Sequence, residues 1–223
     1  EETHTIDLKN FWVRRIRRLI PAVLSMAVVI IFVSAVVNRV VFTKGCKDFV
    51  ASVLGFNNWW QIFNKVSYFE AAGAPSPFTH CWSLAIETQF YLIYPILLLL
   101  LSRVFRKRKK RGKVFAGLSA LLAVVSMILM AVLYNPNGDP SRVYYGTDTR
   151  AFALLIGALA AIQLEYRIIK VRLPRKIWAL IGSISLIVLT CMMVFISSYS
   201  SFLYYGGQAI VSLLTAFVVY AVT

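Results

Sequence analysis

Long apolar runs alternate with short polar or basic ones along the chain, and the lengths of the runs predict helices rather than strands. Six runs are candidates for crossing a bilayer: Pro21–Val37, Ser83–Leu101, Val114–Tyr134, Ala151–Leu164, Ile177–Ser197 and Gly207–Val222. A spanning helix needs about 20 apolar residues, so the short run Ala151–Leu164 implies tilt or local thinning of the bilayer. Two other stretches are apolar without being full spans. Lys9–Ile20 (KNFWVRRIRRLI) sets Phe11, Trp12, Ile16, Leu19 and Ile20 on one side, with its arginines on and around the other. That is the pattern of a helix lying in the cytoplasmic interface. In Asp48–Phe63 (DFVASVLGFNNWWQIF), Asn57 and Asn58 beside Trp59 and Trp60 suit an interfacial or dipping helix. Asn64–Thr79, with Gly73, Pro75 and Pro77, reads as an ordered loop on the outer face. The predicted fold class is all-α: a polytopic helical membrane bundle of about six spans, plus an interfacial N-terminal helix and one short dipping helix.

Composition supports a membrane protein. Of the 223 residues 59% are hydrophobic and the mean hydropathy is +0.72, values that do not fit a soluble domain. The net charge of +15 raises the question of nucleic acid, but its distribution excludes that partner. Lys9–Arg18, Arg103–Lys113 and Arg167–Lys176 hold 18 of the 24 Lys and Arg, and each block abuts an apolar run. This is the positive-inside pattern of a chain whose surroundings are a lipid bilayer. Basic blocks at Arg14–Arg18 and Arg103–Lys113 require an even number of crossings between them, and two is the economical solution. Residue 1 is Glu and the last apolar run is still in progress at Thr223, so the sequence reads as a piece of a larger membrane protein. Cys46, Cys81 and Cys191 show no metal-ligand spacing; Cys46 and Cys81 fall on the same predicted side, which permits a disulfide without requiring one.

Candidate chemistry centres on His80–Pro95, HCWSLAIETQFYLIYP, which carries one carboxylate into an apolar helix. A charge there is costly enough to mark Glu87 as a site by default. With Ser83 near the N-cap, Glu87 falls in the first turn, where the helix dipole favours an anion. Ser83, Glu87, Tyr91 and Tyr94 share one side at helical spacing. Pro95 cannot donate to the carbonyl of Tyr91, which predicts a kink or local opening. Two readings stand: an interfacial glutamate paired with an arginine, or a reaction centre at the mouth of a membrane cavity.

By the same topology Glu87, His80, Trp82, Tyr91 and Arg150 lie near the extracytoplasmic face. Thr147 is placed to cap the helix that carries Arg150, a cation the dipole disfavours, so an acidic partner or ligand is expected, with Asp148 and Glu87 as candidates. That arrangement is either an interfacial ion pair or a substrate clamp. His80 is a lone loop histidine with no second one beside it for a metal. Arg14, Arg15, Arg17 and Arg18 gather on the opposite face, either as a lipid-headgroup anchor or as a grip on the phosphates of a cytosolic donor. The run Arg103–Lys113 reads as a solvated inside loop.

Four ordered motifs carry a resemblance: FWVRRIRRLIP, the asparagine–tryptophan patch, HCWSLAIETQFYLIYP and YYGTDTRAFALLIGALAA. Together they resemble acyltransferase family 3, the membrane O-acyltransferases that decorate peptidoglycan, lipopolysaccharide and other bacterial surface glycans. The family pattern W-S-L-x-x-E-x-Q-F-Y-x-x-x-P matches at Trp82, Ser83, Leu84, Glu87, Gln89, Phe90, Tyr91 and Pro95, with Thr88 where a second Glu is common.

The resemblance implies a multi-pass enzyme of the bacterial cytoplasmic membrane. It would move an acyl group from cytosolic acyl-CoA, with acetyl-CoA the expected donor, to a hydroxyl of an extracytoplasmic glycan. No bound cofactor and no metal are expected. Glu87 would be catalytic; Arg14, Arg15, Arg17 and Arg18 would bind the donor; Trp82, Ser83, Gln89, Tyr91 and Arg150 would contact acceptor or acyl group. The family's essential histidine, with an upstream arginine, would fall in a span before residue 1. The chain is therefore expected to be an incomplete catalytic domain, lacking its first and last helices and inactive alone. The rival is a transporter or flippase fragment whose Glu87 and Arg150 relay protons or hold an anion. A third reading is a scaffold with structural ion pairs.

Overall fold

The structure, a computed structural model, describes residues 7–69, 76–105, 108–169 and 173–222. Residue 1, Gly73, Pro75 and Thr223, named above, lie outside the described residues, as do Arg106, Lys107, Lys170 and Arg172 of the basic blocks. The chain forms two compact units, residues 1–100 with 137–147 and residues 101–136 with 148–223.

In the first unit, α1 covers Leu8–Val37. The Asp7 carboxylate opens it, accepting from the Asn10 backbone N–H at 3.0 Å, a bond that holds the acid below the usual carboxylate range. The interfacial segment over residues 9–20 and the first span are not separate elements, as the sequence suggested, but one continuous helix with Pro21 inside it. Pro21 removes one i→i−4 bond and crowds the Arg17 carbonyl, yet the helix runs on through it. Asn38 does end α1: its backbone is extended (φ −155°, ψ 111°), and its side chain accepts from the N–H groups of Val40 and Val41 to start α2, Arg39–Val53. α2 packs back along α1.

The predicted single dipping helix is two pieces. α2 closes at Gly55 (φ +75°), a left-handed conformation that suits glycine, and α3 runs over Asn57–Phe63. α4, Cys81–Val104, starts where the turn over residues 76–80 leaves it, with Thr79 Oγ1 donating to the Ser76 carbonyl at 2.7 Å. Ser83 therefore lies inside the first turn rather than at the cap, and no acidic residue occupies that turn. α6 is the short helix Ser141–Tyr145. Ala27, Phe78 and Cys81 form a buried core that Ile30, Ile31 and Phe49 surround. Cys46, Cys81 and Cys191 are all free thiols, so the permitted disulfide is not formed.

In the second unit, α5 runs over Arg108–Leu133, α7 over Thr147–Tyr166, α8 over Arg175–Phe195 and α9 over Gln208–Val222. A wide π turn, Leu203–Gly207, leads into α9 with Gly206 at φ +136°. At 20 residues α7 is long enough to span without thinning of the bilayer. α4 ends at Val104 and α5 starts at Arg108, so Arg108–Lys113 of the expected basic loop belong to the start of a helix. α8 and α9 approach so closely that a Cβ on Gly182 would stand 2.5 Å from that of Ala221. Among the described residues there is no strand, and six helices are long and apolar enough to cross a membrane: α1, α4, α5, α7, α8, and α9 with its leading turn. The protein is an all-α polytopic membrane protein.

Candidate functional site

α1 and α4 run antiparallel in the first unit. Phe11, Trp12 and Arg15 meet Tyr91, whereas Ala27 packs with Phe78 and Cys81 at the start of α4. Tyr91 is near the middle of α4, so the arginine-bearing start of α1 is level with mid-helix. The Arg15 guanidinium lies 4.4 Å from the Tyr91 ring centroid and 5.6 Å from that of Phe11, within cation–π range. One turn up α4, the Tyr91 hydroxyl donates to Glu87 Oε2 at 3.4 Å. The sequence reading put the arginines and Glu87 on opposite faces of the membrane; in the structure Arg15 and Glu87 both reach the Tyr91 side chain. α1 is one continuous helix, so the arginines share it with the first apolar run instead of forming a separate element.

Glu87 is half-buried, and Tyr91 is the sole hydrogen-bonding or ionic partner recorded for its carboxylate among the described residues. The first-unit arginines do not pair with it. Arg15 faces an aromatic ring, and Arg14, Arg17 and Arg18 are exposed. Beside this line of residues is a cavity of about 400 Å³, walled by Trp12, Ile16 and Leu19 of α1 and by Leu84, Thr88 and Tyr91 of α4, with Arg15 on its wall. The apolar face read from Lys9–Ile20 is thus turned to this cavity.

The other residues named for the site are placed differently from one another. Ser83 is exposed, its hydroxyl turned back on the His80 carbonyl at 3.3 Å. Trp82 is 6% exposed and enclosed by Tyr144, Tyr145 and Tyr68, so its faces are covered rather than offered to a ring. Gln89 has all its hydrogen-bonding capacity taken up by the protein. Its Nε2 donates to the Gly55 carbonyl (3.0 Å) and Asn58 Oδ1 (2.8 Å), and its Oε1 accepts from Thr147 Oγ1 (2.6 Å) and Trp59 Nε1 (3.2 Å). Tyr94, the last member of the expected polar stripe, is buried and stacked on Phe90 at 4.7 Å.

Sequence reasoning did not foresee Asn58, which is fully buried and donates to Thr147 Oγ1 at 2.8 Å and to the Tyr145 carbonyl at 3.0 Å. Nor did it foresee Asp48, whose carboxylate accepts from the Trp60 indole at 2.7 Å. The signal was the Asn-Asn-Trp-Trp run itself, too polar for lipid and too aromatic for a simple loop. Thr147, expected to cap its own helix, spends its hydroxyl on Asn58 and Gln89 instead.

In the second unit Arg150 donates to Gln208 Oε1, so an amide is among its partners. Ser126 Oγ ties α5 to the same turn of α7, donating to the Asp148 carbonyl at 2.6 Å and accepting from the Phe152 N–H at 3.2 Å.

An antiparallel helix pair that brings together one carboxylate, an arginine on a tyrosine ring and an apolar cavity is the candidate site. The family described as an acyltransferase domain, acyltransferase 3, matches residues 1–223, and the chain belongs to that family. It is 43% identical over 217 residues to the peptidoglycan O-acetyltransferase OatA of Listeria monocytogenes, covering 96% of this chain and 34% of that protein. It is 40% identical over 218 residues to YrhL of Bacillus subtilis (96% and 34%), and 37% identical over 225 residues to SACOL0978 of Staphylococcus aureus (100% and 36%). The chain spans about a third of the length of these curated relatives. No solved structure matches it.

Proposed function

We propose that the whole protein is an O-acetyltransferase of the bacterial cytoplasmic membrane. It takes its acyl group from cytosolic acetyl-CoA and places it on a hydroxyl of an extracytoplasmic glycan, peptidoglycan being the class named for the relative OatA. The observation that carries this reading is Glu87: a carboxylate in an apolar helix with one long hydrogen bond and, among the described residues, no cation paired to it, one turn from a tyrosine that Arg15 covers. A structural glutamate at such a depth would be expected to have a cation or several donors.

The arrangement gives each residue a role. Arginine forks match phosphate oxygens, so Arg14, Arg15, Arg17 and Arg18 suit the polyphosphate end of the donor. The apolar cavity beside them suits its thioester arm. The acceptor hydroxyl oxygen attacks the thioester carbonyl carbon, the C–S bond breaks, and the departing thiolate takes the proton. Glu87 serves as the base for that hydroxyl or orients the group that does. The Tyr91 hydroxyl, which donates to Glu87 at rest, would turn to the acyl carbonyl once Glu87 has taken up the acceptor's proton. Because the arginines are level with Tyr91, donor grip and carboxylate are within reach of one extended molecule.

The test is to supply acetyl-CoA labelled in its acetyl group to one side of vesicles holding the full-length protein and glycan acceptor. Label on the glycan with release of free CoA is the expected result. Movement of a solute without consumption of acetyl-CoA would overturn the reading in favour of a transporter.

A further inference from the structure

Asn58, Gln89 and Thr147 close a ring of hydrogen bonds that all run the same way round. Asn58 Nδ2 donates to Thr147 Oγ1 (2.8 Å), Thr147 Oγ1 donates to Gln89 Oε1 (2.6 Å), and Gln89 Nε2 donates to Asn58 Oδ1 (2.8 Å). In such a cycle each group is donor and acceptor at once, and the bonds polarise one another. The ring is anchored from outside by Trp59 Nε1 and by the carbonyls of Gly55 and Tyr145. It therefore joins α3, the middle of α4 and the first residue of α7 at a point where Asn58 is fully buried.

Its position on α4 gives it a consequence for Glu87. Residues two apart in a helix are about 200° apart around the axis, so Gln89 faces away from both Glu87 and Tyr91, which lie one turn apart on the other face. Fixing Gln89 fixes the rotation of α4, and with it the side to which Glu87 and Tyr91 are presented. Gly55 holds the same contact from the α2 end. Its Cβ position is 2.8 Å from Thr88 Cγ2, so α4 sits against bare backbone there.

The geometry points to Asn58, Gln89 and Thr147 as positioning residues of the transfer reaction, a closed amide–hydroxyl ring that sets the rotation of α4 and so aims Glu87. The inference rests on the acyl-transfer reading above. It moves Gln89 from the ligand-contacting set to the supporting one, and adds Asn58 and Thr147.

Thr147→Val keeps the shape and removes the hydroxyl that both accepts and donates in the ring; Thr147→Ser keeps the hydroxyl. In the full-length protein, Thr147→Val is expected to lower kcat per folded molecule by on the order of 10- to 100-fold with KM for acetyl-CoA unchanged, and Thr147→Ser to restore it. The melting temperature of Thr147→Val should fall by about 2–4 °C and that of Thr147→Ser should not. A Thr147→Val protein that melts lower yet turns over normally per folded molecule would overturn the inference, because the ring would then be structural only. So would an unchanged melting temperature, which would mean the ring is not formed. An inactive wild-type protein would instead overturn the transfer reading, with the melting comparison still deciding whether the ring exists.

Discussion

The indole N–H of Trp12 donates to the carbonyl oxygen of Tyr91 at 3.0 Å, and that carbonyl is the one Pro95 leaves without its helical partner. A proline four residues on supplies no N–H, so within an apolar helix the Tyr91 oxygen would be an orphan. Trp12 supplies the missing donor from another helix. The local opening expected at Pro95 is thus filled by a cross-helix bond, and α4 continues to Val104.

That pairing is testable by a double-mutant cycle. Trp12→Phe should cost about 1–3 kcal/mol, because the freed carbonyl is left unpaired. Pro95→Ala returns an N–H to it, so Trp12→Phe made in the Pro95→Ala background should cost less, by at least about 0.5 kcal/mol. Thermal unfolding of the full-length protein in detergent measures both. Equal costs in the two backgrounds would mean that the indole does not serve the carbonyl Pro95 frees.

Gly55 is constrained twice, by φ +75° and by Thr88 Cγ2 at 2.8 Å from its Cβ position. Gly55→Ala should destabilise by more than the roughly 1–2 kcal/mol that a left-handed backbone costs an L-residue. Thr88→Ser, which removes the obstructing methyl, should recover part of that loss and leave the backbone part. If the double variant is no more stable than Gly55→Ala, the contact with α4 is not what glycine is there to allow.

Tyr145 is 1% exposed, its hydroxyl has no hydrogen-bond partner among the described residues, and burial pushes its ionisation well above the ordinary tyrosine range. The folded state therefore keeps a proton that the unfolded state releases above pH ~10. Stability from this group is complete below that pH and is lost as the pH climbs past it. Tyr145→Phe removes an unsatisfied buried hydroxyl and should be neutral or stabilising at pH 7. Its melting temperature should also fall less steeply than wild type above pH 10. A parallel fall in both proteins would show that this phenol is not the group being titrated.

Much of the architecture is legible in the sequence because span length and charge distribution are local properties. The run read as Ile177–Ser197 is the helix Arg175–Phe195, and Val114–Tyr134 lies almost wholly within Arg108–Leu133. Local cues misled where a non-local partner decided. Pro21 reads as a helix opener, yet α1 passes through it. Ser83 reads as a cap, yet the turn over residues 76–80 starts α4 two residues earlier. Glu87 is visible as a costly charge from composition alone. That Tyr91 carries Arg15 on its ring depends on the register of two antiparallel helices, which no periodicity encodes. The part played by Gln89 was equally hidden, since its partners come from residues 55–59 and from Thr147, 30 to 58 positions away in the case of the side chains.

The measurement that bears most directly on the function is surface acetylation by cells producing full-length Glu87→Gln, compared with wild type at matched membrane abundance. The substitution keeps size and hydrogen-bonding reach and removes only the charge and the basic oxygen. Ester-linked acetate on the glycan, quantified by mass spectrometry, should fall on the order of 100-fold or more. Acetylation near the wild-type level would contradict the account, leaving Glu87 a membrane carboxylate with no part in the chemistry.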